Sequence, residues 1–278
     1  MQQLAEILKR HGVATLTGEK SNVDIIQSRV KRYNAQRGDL DGYDCPKCLN
    51  KGNMLVICNG HEVYEECDCL NIRRALQLVK ASGLEKTIQR CTFENYNVST
   101  DWQRYVYDNA KTYAENPAGW FYFGGQVGAG KTHLCTAIVG ELLKRGIAVK
   151  YCLWRDESTR LKALVNKPEF DAEIAAYKHI DCLYIDDLFK TKQGASVTAA
   201  DINIAFEILN YRYINDMLTI ISSEKTLREI LDIDEAVGSR IYEMAQGNML
   251  NLQADKNKNY RVQNHNQSGR SYVIDRQV

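Results

Sequence analysis

One segment limits what this chain can fold into more than any other. An apolar run, Trp-Phe-Tyr-Phe over 120–123, leads straight into Gly125-Gln126-Val127-Gly128-Ala129-Gly130-Lys131-Thr132-His133, and an unbroken helical pattern leads out to Arg145. Strand, glycine-rich turn and helix in that order suit a parallel sheet, because glycines let successive backbone N–H groups point inward around phosphates. Lys131 is placed to reach β and γ phosphates, Thr132 to offer its hydroxyl to Mg²⁺, and the helix N-terminus to add partial positive charge. The ligands implied are ATP and Mg²⁺; the plain alternative is a glycine-rich turn that binds nothing.

Downstream, apolar strands alternate with amphipathic helices. Strands are expected at 119–123, 148–153, 182–185, 218–222 and 249–252. Helices are expected at 132–145, twice between 157 and 178, and at 199–215 and 235–245. This alternation predicts an α/β fold with a central, mostly parallel five-stranded sheet flanked by helices. Leu183-Tyr-Ile-Asp186-Asp187 ends one buried strand in two acids: Asp186 as the Mg²⁺ candidate and Asp187 to orient and deprotonate an attacking water. Paired acids also end ordinary strands as solvated turn residues. Ser222 and Ser223 close the next strand, either sensing a γ phosphate or serving as turn residues. Arg240, at the start of a helical pattern, suits either a charge offered to a neighbour's γ phosphate or an unpaired surface arginine.

Ahead of this region stand Cys45-Pro-Lys-Cys48 and Cys67-Asp-Cys69. Two short-spaced thiol pairs suit a tetrahedral structural Zn²⁺, with Cys58 and His61 as substitute ligands; a redox pair or unligated thiols are the rivals. A segment of Cys, Gly and Asn with little periodicity fits a fold held by metal. The chain then divides into a helical N-terminal arm (1–44), the zinc module with a linker helix (45–82), an ATPase domain (83–255) and a polar tail (256–278) ending in a short strand at 271–274. The arm carries Leu4, Ile7 and Leu8 on one face and a second helical pattern at 23–33, too few apolar residues for a core of its own. With 36 Lys and Arg against 35 Asp and Glu, no global field draws the chain to nucleic acid or membrane, so such contacts must be local. No apolar run is long enough to span a bilayer, and the N-terminus lacks a secretory pattern, so a cytoplasmic protein with reduced thiols is expected.

Taken together, CPKC and CDC before a basic helix, then Ser82-Gly83-Leu84, Thr92-Phe93-Glu94-Asn95-Tyr96, GGQVGAGKTHL, YIDDL, TIISSE and GSRIYEM resemble the DnaC and DnaI helicase loaders, especially their phage-encoded relatives. The resemblance implies an AAA+ ATPase core without the usual helical lid, and an N-terminal region that grips a DnaB-type replicative helicase. It also implies ATP-dependent engagement of single-stranded DNA and self-association in which Arg240 acts as the arginine finger. Asp187 stands where most AAA+ proteins carry glutamate, and the shorter reach implies slow hydrolysis. Glu224 stands where many relatives carry asparagine, leaving Ser222 or Ser223 to replace it. Trp154, Arg155, Arg160, Lys190 and Lys192 are the candidate contacts to single-stranded DNA, against a solvated charged face. The IstB helpers of DNA transposases share nearly the same core but usually lack the cysteine module. A small-molecule kinase would need an arginine-rich lid between residues 157 and 178, where none is apparent.

Overall fold

The structure, a computed structural model, describes residues 22–81, 83–191, 195–253, 255, 258 and 259. The chain divides into two compact units, residues 1–70 and 71–278. In the first unit α1 (Asn22–Ala35) precedes a hairpin of β1 (Asn53–Cys58) and β2 (His61–Glu66), paired antiparallel. The hairpin closes on Asn59-Gly60, both in the left-handed region at φ 51° and 80°. That is the turn chemistry whose twist matches two antiparallel strands, a signal overshadowed in the sequence by the cysteines. The Asn34 amide clamps the β1 backbone, donating to Leu55 O at 2.8 Å and accepting from Leu55 N at 3.0 Å. The Tyr33 ring meets Tyr64 edge-on at 5.4 Å. The helical pattern at 23–33 therefore docks on the hairpin; the earlier pattern around Leu4, Ile7 and Leu8 lies outside the described residues, as does the expected strand at 271–274.

The second unit is a three-layer α/β sandwich. Its sheet contains β3 (Trp120–Gly125), β4 (Val149–Leu153), β5 (Cys182–Asp186), β6 (Leu218–Ser222) and β7 (Met249–Leu252), in the order β4-β5-β6-β3-β7 and parallel throughout. Strands buried on both faces read as continuous apolar runs, and side chains alternate between two cores. Phe121, Phe123, Tyr184 and Ile220 pack with α5 (Lys131–Lys144) and α4 (Asp101–Glu115). Trp120, Tyr122, Leu183, Ile185 and Ile221 pack on the opposite side with α6 (Trp154–Leu164), α7 (Glu169–Lys178), α8 (Ala199–Ile214), α9 (Leu227–Ile233) and α10 (Glu235–Met244). Threonines start α8 and α9: the hydroxyls of Thr198 and Thr226 accept from Asp201 N and Glu229 N, and each acid's side chain bonds back. The linker helix α2 (Cys69–Ala81) and the short α3 (Glu85–Arg90) precede this fold.

From β3 the chain crosses to the far edge at β4 and returns through β5 and β6, and β7 is added on the other side of β3. Such a reversal opens a crevice at the C-terminal ends of the strands, where ligands of open α/β sheets sit.

Candidate functional site

At that crevice the loop 125–130 is stitched to two strand ends. Gly125 N donates to Ser223 O and Lys225 O at 3.2 and 3.1 Å, and Gln126 N donates to Leu252 O at 3.1 Å. Gly125 has φ +100°, and a Cβ there would fall 1.9 Å from Leu252 O, so only glycine fits. Gly130 caps α5 at φ 82° without a side-chain acceptor, so no side chain competes for the helix's first amides.

Lys131 is buried, its ammonium donating to Gly125 O and Gln126 O at 2.8 Å each. Burial holds its pKa below the usual lysine value, opposed by the charges of Asp187 and Glu224. Thr132 Oγ1 donates to Asp186 Oδ1 at 3.1 Å, joining the start of α5 to the tip of β5. Asp186 also accepts from Tyr151 OH at 3.0 Å and from the Ser222 hydroxyl. A hydroxyl and a carboxylate oxygen at this separation are the hard donors that Mg²⁺ takes, so the pair fits that ion. Burial, then the Asp186 charge, raises the Tyr151 pKa, keeping that phenol a hydrogen-bond donor.

The structure places the remaining candidates unequally. Asp187 lines the same cavity, of 440 Å³, with Val127, Gly128, Gly130, Lys131 and Thr132. His133 lines this cavity too, with its Nε2 2.8 Å from Thr92 O and its ring edge-on to Tyr96 at 5.3 Å. Ser222 and Ser223 are fully buried and absent from the cavity lining. Ser222 donates to Asp186 and accepts from Asp187 N, whereas Ser223 donates to Leu188 O and accepts from Lys225 N. Their hydroxyls hold the acid-bearing turn; the polar side chain facing the cavity from this strand end is Glu224. Arg240 does not line the cavity; it lies over Phe206 and Tyr213 at 4.7 and 5.4 Å and donates to Asn210 Oδ1 and Ala236 O. Among the DNA candidates, Trp154 is buried against Phe189, which removes it as a stacking platform, and Arg160 is engaged by Glu157, Glu173 and Tyr177. Arg155 is exposed, Lys190 lines the cavity, and Lys192 lies outside the described residues.

A profile of the family described as "IstB-like ATP binding protein" matches residues 58–268, most of the chain. The chain belongs to that family. Among related proteins, the phage-like element PBSX protein XkdC of Bacillus subtilis (strain 168) is 34% identical over 223 residues, 74% of this chain and 81% of that protein. The replicative helicase loader DnaC of Escherichia coli (strain K12) is 33% identical over 112 residues, 38% of this chain and 46% of that protein, so the match spans less than half the loader. Among solved structures, that of the DnaC helicase loader superposes with a TM-score of 0.52 at 22% identity, over 61% of this chain and 99% of that one, a likeness of fold. In this member of the IstB-like ATP-binding family the cavity also takes Thr87, Arg90, Asn95, Tyr96 and Asn97 from the segment before β3. Sequence reading missed them as site residues because nothing in their spacing points to a ligand. The one cue was the shared Thr92–Tyr96 motif, whose contact with His133 appears only in the fold.

In the first unit Cys45, Cys48, Cys67 and Cys69 are buried, with their four Sγ atoms within 4.8 Å of one another. Cys45 Sγ lies 3.7 Å from Cys67 Sγ, and Cys48 Sγ lies 3.5 Å from Cys69 Sγ. A tetrahedron of thiolates on zinc has edges of about 3.8 Å, so the set fits that ion. Burial acts to raise the Cys48 pKa, but bonds from Gly52 N and the neighbouring thiols outweigh it and bring the pKa to about 6. Cys58 is exposed and His61 stands beside it at the hairpin end, so neither belongs to this cluster.

Proposed function

We propose that this chain is an ATPase that loads a DnaB-type replicative helicase, its grip on partners switched by ATP binding and hydrolysis. The observation that carries the reading is the 3.1 Å bond between Thr132 Oγ1 and Asp186 Oδ1, which brings the glycine-loop helix and the acid-tipped strand to one point beside Lys131. Lys131 holds the β and γ phosphates, and Thr132 and Asp186 hold Mg²⁺, with the amides of 125–130 around the phosphates. When bound, Mg²⁺ neutralises charge developing on the phosphate oxygens. Asp187 takes a proton from water as the water oxygen bonds to the γ phosphorus; the bond to the bridging oxygen breaks, ADP leaves with those electrons, and Asp187 returns the proton to solvent. Arg240 serves a neighbouring subunit, which is consistent with its place away from its own cavity. The likeness to the E. coli loader DnaC supports the loading role, and single-stranded DNA is the further partner inferred.

Lys131→Ala abolishes ATP binding on this reading; tight binding by that variant removes the site assignment. Co-purification with a replicative helicase, with and without ATP, tests the loading role. Membership in the IstB-like family, with the resemblance to the IstB helpers of transposases, favours a second reading, an ATPase helper of a DNA transposase. Failure to capture helicase in any nucleotide state, together with capture of a transposase, decides for it.

A further inference from the structure

The turn after β5 and the end of β6 bring three charged side chains to the cavity that holds Lys131 and Thr132: Asp187, Lys190 and Glu224. Lys190 Nζ lies 2.8 Å from Asp187 Oδ2 and 2.7 Å from Glu224 Oε1, one ammonium between two carboxylates. The turn is built to hold them there. Asp187 and Phe189 both adopt φ of 58°, costly for a phenylalanine, and the conformation is pinned by Leu188 N to Ser222 O at 2.9 Å and Lys190 N to Asp187 O at 3.0 Å. The charges reach the glycine loop, since Asp187, Glu224 and Lys190 all act on the Lys131 ammonium.

We propose that Lys190 is the residue that detects the γ phosphate, released to it from a clamp formed by Asp187 and Glu224. The proposal rests on the nucleotide reading above. ATP differs from ADP by one terminal phosphoryl group and its negative charge. A detector of that group must supply a cation where it lands, and must have another place to bond in its absence. The serines at the end of β6 do not meet this requirement, because both hydroxyls are spent on Asp186 and Leu188 O. Glu224 does not meet it either, since a carboxylate repels a phosphate; its role is to set how firmly Lys190 is held. An ammonium has three donors, so Lys190 can turn one toward a phosphate oxygen and still keep a carboxylate. Its departure from Asp187 leaves that carboxylate able to take the proton of the attacking water. Arrival of the third phosphate and readiness of the acid then become one event.

The signs of two substitutions separate this role from a structural one. Lys190→Met leaves two unpaired carboxylates facing the terminal phosphate, whereas Glu224→Gln removes one of them. The measurement is titration of the full chain with ADP and with a non-hydrolysable ATP analogue, both with Mg²⁺. Lys190→Met is expected to weaken the analogue about tenfold while leaving ADP within about twofold, as expected for one charge interaction in a partly solvated site. Glu224→Gln is expected to raise the preference for the analogue severalfold, and Lys190→Arg to restore most of it. Equal weakening of both nucleotides by Lys190→Met, or the same direction of change in both variants, overturns the proposal. If the wild-type chain binds ADP but shows no preference for the analogue, the detector role fails and the site survives. Binding of neither nucleotide removes the site itself, and the detector with it.

Discussion

Arg212 has no exposed surface, and its guanidinium donates to Thr219 Oγ1, Tyr177 O, Lys178 O and Ile180 O at 2.9 to 3.1 Å, and to Leu218 O. It gathers the end of α7, the connection to β5 and the start of β6 around one cation. Replacing it with methionine keeps the apolar stem and strands these acceptors in the interior. The four bonds at 2.9 to 3.1 Å alone, at about 1.5 to 2 kcal/mol each from a charged donor, amount to about 6 to 8 kcal/mol. Burial lowers the arginine's pKa from its ordinary value to about 10, so removing the charge returns roughly 3 kcal/mol of desolvation. The net loss is about 3 to 5 kcal/mol, which lowers the melting temperature of a unit this size by about 10 °C. All three tryptophans, Trp102, Trp120 and Trp154, lie in the second unit, so their fluorescence follows its melting alone. Arg212→Lys, with three donors on one nitrogen, recovers part of the loss. Nucleotide affinity stays unchanged, because Leu218 and Ser222 mark opposite ends of β6, about 13 Å apart. A fall of less than about 3 °C for Arg212→Met contradicts the hydrogen-bond accounting on which the estimate rests.

The four-cysteine cluster predicts one zinc per chain by elemental analysis. Cys48→Ser is expected to release it and open residues 45–70 to protease while the tryptophan melt stays in place; a metal-free wild-type protein contradicts this. Arg240→Ala is expected to leave ATP affinity within about twofold and to lower turnover about 100-fold or more in the assembled protein, as removal of a charge supplied to a neighbour's phosphate does. Its loss of stability is expected to be under about 1 kcal/mol, since the stacking on Phe206 and Tyr213 is partly exposed. Parallel loss of affinity and turnover assigns Arg240 to the scaffold instead.

Local chemistry made much of this protein legible in its amino-acid order. The glycines of 125–130, the lysine and threonine after them, the acids ending an apolar run and the paired thiols each act through near neighbours in the chain, so spacing alone announces them. The five strands follow for the same reason: a strand buried on both faces must be apolar throughout, and 120–123, 182–185 and 218–221 are nearly so. The hairpin in the cysteine region and the helix Leu227–Ile233 escaped notice, because two turns of helix or a strand on a small metal-fitted module carry a weak period. The helix Asp101–Glu115 escaped notice although Gln103, Val106, Ala110 and Tyr113 recur at helical spacing. What the tertiary structure decided is the partner of each polar group. Ser222 and Ser223 suit either a γ-phosphate sensor or a turn by sequence; the sheet order sets β6 between β3 and β5, where their hydroxyls bond to Asp186 and to Leu188 O. Lys190 and Glu224 are 34 positions apart and meet only because two adjacent strands end at the same edge. Charge and hydrogen bonding act over a few ångströms of space, and sequence reports that distance only for residues that are close along the chain.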